Sequence, residues 1–119
     1  MGKIIFFCTL LVVSLYAEEP LSTQEQLQSN CLNCHTQDQI PNDLIFRRYL
    51  MKYSTQEAMN KAILKYLKDP LKENSIMPHP FFSKFPMKKT LDLDDTTLKQ
   101  NIRTFLETFD VKKKLILPQ

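Results

Sequence analysis

Glycine is nearly missing from this chain: of 119 residues only Gly2 is one, so almost no turn can draw on its backbone freedom. Cysteine is scarce as well. There are three, Cys8, Cys31 and Cys34, and the first lies in an N-terminal apolar run. The remaining pair excludes a disulfide framework. An excess of one charge is also lacking, since 16 Lys and Arg face 13 Asp and Glu for a net +3. That balance does not mark a nucleic-acid binder. Repeats, low-complexity segments and strand-like alternation are absent, and after residue 15 no apolar run is long enough to span a bilayer.

What is present begins with an export signal. Met1-Gly2-Lys3 supplies a positive start, residues 4–15 (IIFFCTLLVVSL) an uncharged apolar centre, and Tyr16-Ala17 precedes the acidic Glu18-Glu19. This predicts a secretory signal peptide over 1–17, cleaved after Ala17, and an exported, periplasmic protein. The alternative is a retained membrane anchor, but the run falls short of the roughly 20 residues that span a bilayer. Cys8 sits in the middle of the run, not at its end, which argues against a lipoprotein. Residues 18–119 then form one small domain without a further membrane span. A domain of that size has limited core and often takes stability from a metal or cofactor.

The periodicity predicts an all-α chain of about four helices, divided by prolines at 20, 41, 70, 78, 80, 86 and 118. Ser22 and Glu25 form a capping box for a first helix running to about Cys31, with Leu27 and Cys31 on one face. A second helix spans residues 42–52, with Phe46, Tyr49, Leu50 and Tyr53 as its buried stripe. A third spans 55–68. Ser54 and Glu57 are read as its capping box, Met59, Ile63 and Leu67 as one core row, and Asp69-Pro70 as its end. Met51 and Met59 are read as packing residues. Residues 70–93 read as a proline-rich loop holding Phe81, Phe82 and Phe85, too apolar to be a solvated tail. Asp94 caps a last helix whose Leu98, Ile102, Phe105, Leu106 and Phe109 share a face.

The motif that carries chemistry is Cys31-Leu32-Asn33-Cys34-His35. A redox dithiol of this spacing needs strands alternating with helices, which the sequence does not offer. A structural zinc site needs two more ligands; His79 is the only other histidine and no cysteine is left. The third reading is c-type haem attachment. Cys31 and Cys34 would add across the two vinyl groups, and His35 would reach the iron from the same side. Attachment takes place outside the cytoplasm, in agreement with the signal peptide.

With CLNCH after an N-terminal helix, a Met-bearing loop and a C-terminal helix, the chain resembles a small monohaem c-type cytochrome of class I. The resemblance implies a cytochrome c-like fold around one covalent haem c, and a soluble electron carrier, not an enzyme. It implies His35 on one side of the iron and a methionine on the other. Met77, in Ser75-Ile76-Met77-Pro78, is the preferred distal ligand; Met87 is the alternative and His79 stands behind both. Pro41 resembles the proline whose carbonyl bonds the haem histidine. Arg47 and Arg48, with Tyr49 and Tyr53, are candidates for the haem propionates. Lys84, Lys88 and Lys89, and the run Lys112–Lys114, read as solvated faces or as a docking rim for acidic patches on redox partners. Such a carrier would act as a monomer or in transient complexes. Two other readings stay open: a five-coordinate haem that binds or senses a gas, and an electron-transfer subunit of a larger respiratory or sulfur-oxidising complex.

Overall fold

Helix boundaries follow the caps. In the computed structural model, which describes residues 19–114, the first helix opens at Ser22. Ser22 Oγ accepts from the Glu25 N–H at 3.3 Å, and the Glu25 carboxylate accepts from the Ser22 N–H at 2.8 Å. The expected capping box is therefore complete. The expected leader, residues 1–17, and its cleavage point lie outside the described residues.

The first helix runs further than the sequence predicts. α1 (Thr23–Leu27) passes through a π turn (Gln28–Leu32) into α2 (Asn33–Gln37), so CLNCH is itself helical. Neither proline nor glycine interrupts residues 21–40. The run stops where Gln39 takes a left-handed backbone, φ 54°.

α3 (Asn42–Tyr53) buries Phe46 and Tyr49, with Leu50 and Tyr53 half-buried beside them. The sequence reading of Ser54 as the next N-cap does not hold. Ser54 closes α3 in a left-handed conformation, φ 61°. Thr55 has the extended backbone of an N-cap, and its Oγ1 accepts from the Ala58 N–H at 3.2 Å. The link between α3 and α4 (Gln56–Lys68) is only two residues long, so the first must make the turn and the second the cap. Glu57 instead bridges Lys61 at 2.9 Å. Met51 is a second correction. It is 84% exposed, because it lies five residues from Phe46 and hence roughly 140° around the helix. Met59 and Ile63 are buried as expected, and α4 ends at Asp69.

Residues 70–93 are not wholly irregular: a 3₁₀ turn (Lys72–Asn74) and the short α5 (Phe81–Lys84) lie within them. The rings of Phe81 and Phe85 stack at 4.5 Å, and Phe82 meets Phe81 edge-on at 5.5 Å. α6 (Asp95–Thr108) starts at Asp94, whose carboxylate accepts from both the hydroxyl and the N–H of Thr97. These bonds hold the Asp94 carboxyl below the usual range.

α6 organises the rest. It packs on α1 and on α4, and α3 packs on α4. The core joins Leu27 of α1, Phe46 and Tyr49 of α3, Met59 and Ile63 of α4, and Ile102, Phe105 and Leu106 of α6. Among the described residues there is no strand, and no helix is long and apolar enough to cross a membrane. The chain is all-α.

Ser54 offers a direct check, because a residue with a Cβ is strained at positive φ. Ser54→Gly is expected to stabilise the fold by about 0.5–1 kcal/mol. Thermal unfolding followed by circular dichroism should show the midpoint rise by a few degrees; a fall would contradict the turn described here.

Candidate functional site

The site is built around His35, in the last turn of α2. Its ring is half-buried and held on two sides. Asn42 Oδ1, at the start of α3, accepts from Nδ1–H. The ring meets Phe105 of α6 edge-on, with centroids 6.3 Å apart and planes at 84°. The backbone adds a third tie, since the Ile40 N–H donates to the His35 carbonyl at 2.8 Å. With Nδ1 occupied, the tautomer is set and Nε2 is the nitrogen left to bind a metal. Nε2 makes no hydrogen bond among the described residues.

The resemblance points to the Pro41 carbonyl for the orienting bond. In the structure that carbonyl accepts the Ile45 N–H at 3.0 Å, opening α3, while the imidazole bonds the neighbouring side chain of Asn42.

The two cysteines differ. Cys31 is half-buried against the core, and Cys34 is exposed; both are free thiols. Burial pushes the Cys31 thiol up, the Lys88 ammonium pulls it partly back, and the nearby Cys34 pushes it up again. Lys88 responds in kind: burial lowers its pKa and Cys31 opposes the change. The two groups are thus within electrostatic reach of each other. Lys88 is half-buried, whereas Lys84 and Lys89 are exposed and Lys84 sits over the Phe85 ring at 5.2 Å. Of the C-terminal lysines, Lys114 pairs with Asp43 at 3.1 Å and Lys113 donates to the Glu107 carbonyl at 3.2 Å.

The three candidate distal groups are placed differently. Met77 is 8% exposed, with its N–H donating to Ser75 Oγ at 3.1 Å. Met87 is half-buried, and His79 is exposed between its prolines. Of the arginines, Arg47 is exposed. Arg48 is half-buried, and its Nε is buried without a partner among the described residues. Tyr49 is buried and stacks on Tyr53 at 6.1 Å. Burial, then the neighbouring Tyr66 and Tyr53, push its hydroxyl strongly up, so it stays a neutral donor.

The three chemistries of CLNCH make different demands on these groups. Among the described residues no three His, Cys, Asp or Glu side chains gather as a metal site requires. Cys31, Cys34 and His35 therefore do not converge on one ion, as a zinc site would need. Haem attachment asks for the opposite: sulfurs at the rim of the porphyrin and only the imidazole at its centre. The unpartnered Arg48 Nε fits a carboxylate such as a propionate. The clefts found elsewhere, between α1 and α6 and between α3, α4 and the C-terminal turn, include none of CLNCH, Met77 or Met87.

No family model, curated protein or solved structure matches the chain.

Two outcomes check this geometry. In the haem-free chain, an alkylating reagent should modify exposed Cys34 well before Cys31, whose raised pKa keeps it protonated at pH 8; equal rates, read by peptide mass, would contradict the burial of Cys31. Asn42→Leu should lower stability by about 1 kcal/mol and speed solvent exchange of the His35 Nδ1 proton in NMR spectra. An unchanged proton would show that the ring is held by something else.

Proposed function

We propose that the chain is an exported c-type cytochrome that carries single electrons. One haem would be joined to Cys31 and Cys34 as thioethers, with His35 Nε2 and the Met77 sulfur as axial ligands, in a cytochrome c-like fold. The observation that carries the reading is His35 itself: directly after the second cysteine, tied at Nδ1 by Asn42, with Nε2 left over. The haem supplies a one-electron iron couple.

The residues of the chain would do the rest. Asn42 fixes the imidazole plane and strengthens the ligand by accepting its other proton. Phe105 keeps that face apolar and excludes water. A thioether at Met77 favours the reduced state relative to a second histidine. Met77 is preferred over Met87 because it is the more buried of the two. Arg48 and the neutral Tyr49 hydroxyl would meet propionate oxygens. The modest core, ten buried apolar residues among those described, agrees with a domain that gains stability from a bound group. Partners would be redox proteins that dock briefly, through a small interface.

The test is the absorption spectrum of the exported protein from a host able to attach haem. A c-type spectrum with the near-infrared sulfur-to-iron band is expected, lost in Met77→Ala and kept in Met87→Ala. The reverse pattern would move the ligand to Met87. Absence of the band together with fast, tight carbon monoxide binding to the reduced protein would favour a gas-binding module. No haem at all would overturn the proposal.

A further inference from the structure

The π turn at Gln28–Leu32 does something specific to the motif that follows it. In an α-helix each residue advances about 100° around the axis, whereas an i to i+5 turn takes up one extra residue without advancing the face. Leu27, fully buried against the core, gives the reference direction. In an uninterrupted α-helix Cys34 would lie roughly 20° from Leu27, on the buried stripe, with Leu32 and His35 turned away by roughly 140° and 80°. With one residue taken up, His35 moves to roughly 20° and Leu32 to roughly 40°, and Cys34 swings out to roughly 120°.

The burial pattern matches the second case at all three positions. Cys34 is exposed. Leu32 packs against the core. The His35 ring sits against Phe105, a core residue of α6. The turn is closed twice, by the Asn33 N–H donating to the Gln28 carbonyl and by Gln28 Nε2 donating to Asn33 Oδ1 at 2.8 Å.

We infer that this π turn is a one-residue register device that presents His35 to the core and Cys34 to the outside, with Gln28 and Asn33 as the positioning residues that clamp it. The role assigned to His35 rests on the haem reading above, but the register itself does not. It is a property of the helix and can be read with or without a cofactor.

The inference makes an unusual demand on variants. Deleting exposed Ser29 should convert the turn to ordinary α-helix and leave His35 on the same stripe. Inserting one alanine between Ser29 and Asn30 should rotate everything after it by about 100° relative to α1. The readout is the nuclear Overhauser contact between the His35 and Phe105 rings, recorded in the full chain, in the ferrous diamagnetic state if haem is attached. The contact should persist in the deletion and vanish in the insertion. In a haem-loaded protein the low-spin spectrum should follow the same pattern, while the unchanged Cys31–Cys34 spacing still allows attachment. Loss of the contact in a folded Ser29 deletion would overturn the inference, as would its survival in the insertion. If the insertion does not fold, the deletion decides alone. If the parent chain carries no haem in a competent host, the cytochrome reading fails, and the ring contact still tests the register.

Discussion

The position of one imidazole ring ties the arrangement together. His35 comes from α2, its hydrogen-bond partner Asn42 from α3, and the ring it touches, Phe105, from α6. Those elements meet at a single side chain. α6 in turn carries the contacts to α1 and α4, so the core and the candidate site share a wall. A ring with one nitrogen bonded and one face packed has lost its rotational freedom before any ligand arrives. A metal ligand that is already oriented binds without a further ordering cost.

Shortage of glycine shapes how the chain turns. Both positive-φ positions among the described residues fall on side-chain-bearing residues, Gln39 and Ser54. Gln39 stops the long helical run just beyond the motif, and Ser54 reverses the chain between α3 and α4. Side-chain caps at Ser22, Thr55 and Asp94 start α1, α4 and α6. The prolines confine the segment between α4 and α6, where Pro80 at φ −60° leads into α5 and the phenylalanines stack on one another. At the far end of that segment the Lys88 ammonium is within electrostatic reach of Cys31.

Local rules made much of this legible. The capping box at Ser22 and Glu25, the Asp94 cap and the apolar stripes of α3, α4 and α6 all follow from spacing alone. The failures have physical causes. Ser54 and Thr55 are equally plausible caps in sequence; only the two-residue link forces the left-handed turn onto the first. Met51 reads as a packing residue from its apolar neighbours, although its phase on α3 points it away from Phe46. A π turn has no composition signal, so the sequence pattern ends the first helix at Cys31 and does not show His35 taking the place of Cys34 on the buried face. Asn42 gives no sequence signal, because a side chain seven residues from His35, across a turn, has no periodic signature. The electrostatic influence of Lys88 on Cys31 is set by tertiary folding, beyond any local rule.

Whether CLNCH holds haem is the claim on which the functional account stands. The most direct measurement is the mass of the exported chain from a haem-attaching host, together with that of the proteolytic peptide containing Cys31 to His35. The account predicts that both gain the mass of one haem, and that the chain begins at Glu18. A peptide of unmodified mass, with both thiols still free to react, would contradict it.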